Sequence, residues 1–425
     1  MKRLKWGGVD CLDLAKNFGT PLYVYDTGII KSRCRQLRET FIERWGNVAV
    51  RYASKAFLVK EMARLINSEG LGLDVVSIGE LYTALEVGFP AENIEMNGNA
   101  KSHEEISLAV NSGVGQIIVD HPDELKTIEK FAREKGIKQK ILIRVAPGVD
   151  AHTHAYIATG ATDSKFGVPA DVSEGSMLNH SIKYAMASEN IDLRGLHFHV
   201  GSQLFDPVDN LKAVEKTVEL MKKLKDALNF TTYELNCGGG FGAVINPSMQ
   251  AVKCADFTDP MMKLLQADCK KYGLEVPKMI IEPGRWIVSE AGITLYKVEN
   301  IKELPELTYI AVDGGMADNP RYALYQADYE AVKVEDIDAP IINSDKKFSI
   351  VGKCCESGDI LIEDAKLPIL KAGDIIALYN SGAYTFSMSS NYNRLQRPAV
   401  VFVEDGNARI VAKRQTLDDL IANEI

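Results

Sequence analysis

Apolar positions along the chain fall into two textures. In the first half, short aliphatic and β-branched runs alternate with stretches whose apolar residues recur at helical spacing. The runs VAVRYASK, GLDVVS, IEMNGN, QIIVD, KILIRVA, LRGLHFHVG, YELNCGGG and MIIEPGR predict eight strands between Val48 and Arg285. Helix punctuation lies between them. Ser77 with Glu80 and Ser102 with Glu105 have capping-box spacing, Pro122 suits a first helical residue, and Gly70, Gly88, Gly136 and Gly273 fall where helices stop. Eight strand–helix units in ~250 residues match a closed (β/α)8 TIM barrel, here spanning 31–285. An open doubly wound sheet is the competing arrangement, but no GxGxxG follows the first strand.

After Arg285 the texture changes. WIVSEAGITLYKVENI, LTYIAVDGG, EAVKVEDI, FSIVGKCC, DIIALYN, PAVVFV and ARIVAKR read as strands with turn residues between them. They predict a second, mainly antiparallel β-domain over 286–425. Residues 1–30 join it through the strand at Pro21–Asp26, PLYVYD. A short last helix is expected at Thr416–Asn423. One loop, Pro147 to about Asp171, is long enough to suggest function. On a barrel it leaves the face that carries the active site.

Composition narrows the class. With 46% hydrophobic and 25% charged residues, the chain is an ordinary soluble globular protein. A net charge of −9 disfavours nucleic acid as a partner. No apolar run reaches the ~20 residues that cross a bilayer, and the start has no secretory h-region. Seven scattered cysteines without CxxC spacing point to a reducing cytoplasm rather than to disulfides or zinc.

The chemistry concentrates at strand ends. Lys55 ends the first strand, with a helical pattern opening at once behind it, which is where a barrel places a reactive amine. His197 and His199 sit on strand six and, in an extended chain, point to one side. Such a pair, like His152 and His154 in DAHTH, is also a metal signature, so a metal-dependent amidohydrolase is an alternative. That architecture wants its histidine pair on the first strand, where this chain has lysine. A flat imidazole can instead stack on a cofactor ring, with Ser202 placed for a phosphate. Gly238, Gly239 and Gly240 let backbone N–H groups close on an anion. Glu282 can pair with a protonated ring nitrogen, and Arg285 can grip a carboxylate or phosphate. In the second domain, Glu356 can bind an amino group and the cysteine beside it can deliver a proton.

Together, DAHTH, SKFG, HVGSQ, CESGD and SNYN resemble the fold-type III pyridoxal-phosphate decarboxylases, the group of alanine racemase and eukaryotic ornithine decarboxylase. The resemblance runs from PLYVYD to RQTLDDL and is strongest to the branch acting on diaminopimelate. It implies pyridoxal 5'-phosphate held on Lys55 as a Schiff base, with His199 stacked on its ring. Ser202, Gly239, Gly240 and the backbone of Glu282, Pro283, Gly284 and Arg285 hold the phosphate region, and Glu282 pairs with the ring nitrogen. Arg285, Arg321, Tyr325 and Tyr384 grip the substrate, Tyr384 also touching the cofactor. Glu356 reads the distal amino group and Cys355 donates the proton. In the family these last two complete the partner subunit's site, which implies a homodimer. No metal is expected. The implied reaction is decarboxylation of meso-2,6-diaminopimelate at its D-centre to L-lysine. A decarboxylase of lysine, ornithine or arginine on the same fold is the nearest alternative, and a non-catalytic binding homologue a distant one. The chain departs from the family pattern at RYALY, where RPALY is usual, and at Gly314-Gly315-Met316, where Ala-Gly-Met is usual. Neither change removes a chemical group.

Overall fold

Each aliphatic run of the first half becomes a strand because its residues are buried on both faces, as parallel barrel strands require. The strands are Val48–Ala53, Gly72–Val75, Ile94–Met96, Gln116–Val119, Gln139–Ala146, Ile191–His197, Glu234–Asn236 and Lys278–Ile281. The computed structural model describes residues 2–149, 164–244, 249, 251–342 and 346–425. Among the described residues, these eight pair in parallel and close a ring. The last pairs with the first, and Ile191–His197 pairs with both Gln139–Ala146 and Glu234–Asn236. Closure removes every edge, so the open doubly wound sheet is excluded.

Helices link the strands on the predicted signals, with local shifts. Ser102 and Glu105 form the full capping box. Ser77 accepts from the Glu80 N–H at 3.3 Å, but the Glu80 carboxylate turns to the Val76 N–H at 2.7 Å, so that box is half made. Pro122 precedes the helix Asp123–Lys135 instead of opening it. Behind Lys55 the chain makes a 3-10 turn, Ser54–Ala56, and the α-helix starts only at Lys60. Strand six ends at His197, so the two histidines do not share one strand as the alternation predicted. The DAHTH motif and most of the long loop lie outside the described residues.

The chain divides into two units. The barrel unit comprises Cys34–Gly242 and Val252–Gly284, and the other comprises Met1–Arg33, Ala243–Ala251 and Arg285–Ile425. The second unit is built on a sheet ordered Ile360–Ile362, Lys347–Val351, Leu307–Val312, Gly292–Glu303, Leu22–Asp26, Ala399–Glu404, Asn407–Ala412. Among the described residues this sheet is mainly antiparallel, as expected, but two of its pairings are parallel. Leu22–Asp26 runs parallel to Ala399–Glu404, and Leu307–Val312 parallel to Lys347–Val351. Parallel pairing follows because each couple is joined through distant chain, not by a hairpin. Ile293 and Leu295 pack into one core, Tyr296 and Val298 into another, so both faces of that strand are buried. Trp286 to Val288, expected as strand, instead lies in the helical turn Arg285–Val288.

Candidate active site

Among the described residues, a polar cluster of Asp74, Glu95, Asn97, His197, Asn236 and Glu282 is buried in the barrel. At the first strand, the Ala53 N–H donates to the Pro283 carbonyl at 3.2 Å and ties the EPG segment to the turn that holds Lys55. The Lys55 ammonium acts electrostatically on Asp74, Glu80, His197, His199 and Glu282.

Glu282 is the centre of the cluster. Its Oε1 lies 3.0 Å from His197 Nε2 and accepts from the Asn97 amide at 3.1 Å and the Asn236 amide at 2.8 Å. The Asn236 amide also reaches Glu95 Oε1 at 2.7 Å, and the Asn97 amide reaches Asp74 Oδ1 at 3.1 Å. Burial pushes Glu282 up, but His197, the hydrogen bond from Glu95 and the Lys55 charge outweigh it and hold the carboxyl well below the usual range. Burial and the Glu282 charge push Asp74 and Glu95 well up. The three buried acids are thus pushed apart, Glu282 below the usual carboxyl range and Asp74 and Glu95 above it. Burial keeps both imidazoles below their ordinary values, so His199 presents an uncharged ring.

Ligand atoms of Glu95, His197 and Glu282 fall within 4.8 Å of one another, a spacing that suits a metal. Two amide N–H donors, however, converge on Glu282 Oε1, the orientation that repels a cation there. The group reads better as a carboxylate held for an N–H donor.

Backbone joins the cluster to the glycine run. The Glu282 N–H donates to the Gly238 carbonyl at 2.8 Å, and the Leu204 N–H to the Gly240 carbonyl at 3.0 Å. The Gly239 N–H donates to His199 Nδ1 at 3.3 Å. HFHVGSQ, NCGGGFG and Glu282 are therefore joined through their backbone. Side chains are excluded from the glycine run: a Cβ on Gly239 would sit 2.1 Å from the Glu282 carbonyl oxygen, and one on Gly240 2.2 Å from that of Gly201. A side-chain-free backbone beside the Ser202 hydroxyl suits a phosphate. An ionised buried carboxylate suits a pyridinium, and a neutral imidazole suits an aromatic face. The residues fit pyridoxal 5'-phosphate.

The second unit collects the remaining predicted residues in two places. At the first, the Arg285 guanidinium lies 4.6 Å from the centre of the Tyr384 ring, and Arg321 lies 5.5 Å from that ring and 4.9 Å from Tyr325. Tyr384 takes φ +59°, a left-handed backbone uncommon for a bulky residue. Burial, and then Arg321, bring Arg285 down to about 10. Two buried cations on one phenol favour an anion placed against them. At the second place, Cys355 and Glu356 are both exposed. Asp359 anchors their segment, accepting from the Met316 N–H at 2.6 Å and the Cys354 N–H at 2.7 Å.

Asp74, Glu95, Asn97 and Asn236 were not singled out from the sequence, and His197 was not given its role at Glu282. A signal was present: acids and amides at or beside the ends of otherwise apolar parallel strands are expensive unless they serve a site.

A family model described as "Pyridoxal-dependent decarboxylase, pyridoxal binding domain" matches residues 27–289. Diaminopimelate decarboxylase of Bacillus subtilis is 46% identical over 419 residues, 98% of this chain and 94% of the relative. Among solved structures, diaminopimelate decarboxylase from M. jannaschii in complex with L-lysine superposes with a TM-score of 0.91 at 34% identity, covering 100% of this chain and 96% of the other. The Helicobacter pylori enzyme, also complexed with L-lysine, gives 0.88 at 33% identity over 98% and 99%.

Proposed function

The chain belongs to the pyridoxal-dependent decarboxylases, and from this we propose that it removes one carboxylate from meso-2,6-diaminopimelate to release CO2 and L-lysine. The observation that carries the reading is Glu282, a buried carboxylate beyond the barrel's last strand whose Oε1 meets His197 Nε2 and the Asn97 and Asn236 amides. When bound, pyridoxal 5'-phosphate supplies an electron sink for the pair left by departing CO2. Glu282 would hold the ring nitrogen of that group and favour its protonated form.

The other residues position and protect. Lys55 would supply the amine that holds the cofactor. The uncharged His199 ring stacks without competing for the ring proton. Ser202, Gly239, Gly240 and the Glu282–Arg285 backbone hold the phosphate region. Arg285 and Arg321, with Tyr325 and Tyr384, grip the substrate's carboxylates. Two guanidiniums suit a substrate with a distal carboxylate, which lysine, ornithine and arginine lack. The exposed Cys355 and Glu356 serve the site of a second subunit in a homodimer: Glu356 reads the distal amino group and Cys355 returns a proton to the reacting carbon. No described helix is long and apolar enough to cross a membrane.

The test is to supply meso-diaminopimelate, lysine, ornithine and arginine separately to the cofactor-loaded protein and to measure CO2 and amine products. Diaminopimelate alone should yield CO2 and lysine. Turnover of ornithine or lysine at an equal or higher rate would overturn the assignment.

A further inference from the structure

The segment that carries Cys355 and Glu356 is fixed by its backbone at both ends. Asp359 holds the Cys354 N–H, the Glu356 N–H donates to the Cys354 carbonyl at 2.8 Å, and the Asp359 N–H donates to the Glu356 carbonyl at 3.1 Å. Those bonds leave the exposed Glu356 side chain its rotamers. What restrains it comes from another part of the chain, the turn at Asn391–Arg394. The Tyr392 hydroxyl donates to Glu356 Oε1, and Asn393 Oδ1 accepts from the Cys355 N–H at 2.7 Å.

The turn is shaped for this contact. Asn393 has φ +50° and Arg394 φ +61°, two successive left-handed residues of which neither is glycine. Such a backbone persists only when its surroundings hold it. Asn391 Nδ2 donates to the Leu395 carbonyl at 2.8 Å and to Gln415 Oε1 at 2.6 Å. Arg394 reaches the Leu420 carbonyl at 3.2 Å and the Glu424 carboxylate at 2.5 Å, drawing in the C-terminal helix Leu417–Ile421. The hydrogen bond to Glu356 also pushes the Tyr392 phenol up, so it remains a donor at neutral pH.

We propose that Asn393 and Tyr392 are positioning residues for the reaction: Asn393 sets the height of Cys355, and Tyr392 orients Glu356 and thereby the preference for substrates with a distal amino group. This rests on the roles given above to Cys355 and Glu356. A carboxylate already bound by one phenol O–H has its remaining lone pairs directed, so an ammonium is received in one geometry. A thiol that must meet one carbon needs its main chain fixed to well under an ångström.

The experiment compares two substrates on the holoenzyme: meso-2,6-diaminopimelate and D-2-aminopimelate, which keeps the distal carboxylate and lacks the distal amine. Tyr392→Phe should raise KM for diaminopimelate about tenfold while changing kcat/KM for D-2-aminopimelate by less than about twofold. Asn393→Gly keeps the left-handed backbone and deletes the acceptor, so kcat should fall about tenfold on both substrates, with Asn393→Asp restoring it. Equal losses on both substrates in Tyr392→Phe, or parental kcat in Asn393→Gly, overturn the proposal. Glu356→Gln and Cys355→Ala are run in parallel. If those two match the parent, the roles of Cys355 and Glu356 fail and this proposal falls with them; if they are impaired while the turn variants are not, only the proposal falls. Matched thermal melts separate either result from misfolding.

Discussion

Glu282 Oε1 and His197 Nε2 lie 3.0 Å apart, both buried inside the barrel. An imidazole and a carboxylate withdrawn together from water would normally each lose charge. Here the carboxylate keeps it, because His197, Glu95 and Lys55 all favour the anion. The barrel thus favours an anionic carboxyl at the point where the Asn97 and Asn236 amides also converge.

Glu282→Gln should bind cofactor and decarboxylate slowly. The amide keeps the volume, loses the charge and sets its own N–H₂ against the existing donors. The expected fall in kcat is on the order of 10²-fold or more, comparable to removing one preorganised electrostatic contact in other enzymes. Single-turnover CO2 release against cofactor content measures it, and parental kcat would show that Glu282 does not serve the ring nitrogen.

Gly239→Ala should weaken cofactor binding by at least about tenfold. The new methyl would sit 2.1 Å from the Glu282 carbonyl oxygen, so the EPGR backbone must move. Gly79→Ala is the control: a Cβ there meets only Ser77 Oγ at 3.9 Å. Cofactor titration followed by absorbance compares the two.

Arg321→Met should cut kcat/KM for diaminopimelate by on the order of 10²-fold, since a charged hydrogen-bond partner to a carboxylate is lost. Substrates without a distal carboxylate should be little affected. Steady-state kinetics on both kinds decides it, and equal loss on both would mean that Arg321 supports the fold instead.

Asp318 predicts a pH dependence of stability. Its Oδ1 accepts from the Gly315 N–H at 2.9 Å, its Oδ2 from the Tyr296 hydroxyl, and its carbonyl from the Tyr23 hydroxyl at 2.5 Å. Burial raises the carboxyl to about 7, against 3.8 for the ordinary group. The folded form therefore holds a proton that the unfolded chain releases first. Its contribution is full below the unfolded value, is lost as pH rises towards 7, and is constant above. Asp318→Asn, always neutral, should gain in melting temperature relative to the parent as pH goes from 4 to 7. A constant difference across that range would refute the shift.

Strand order and barrel closure were legible because parallel barrel strands are buried on both faces and read as unbroken apolar runs. Lys55 and Glu282 were legible as candidates because each stood out at a strand end. The second sheet was read less well. The strand at Leu22–Asp26 falls in it as expected, but its parallel run beside Ala399–Glu404, like that of Leu307–Val312 beside Lys347–Val351, was not legible, because local pattern carries no record of strand direction.

The sequence by itself determined the eight-strand ring, the glycine run and the residue types a pyridoxal enzyme needs, since these depend on periodicity, backbone freedom and spacing along one chain. Tertiary structure alone decided which acid collects the donors. Asp74, Glu95 and Glu282 are alike as letters, but Oε1 of Glu282 is the atom on which His197, Asn97 and Asn236 converge from three other strand ends. Charge in a buried site follows from the donors brought to it through space, and their assembly depends on how the ring closes.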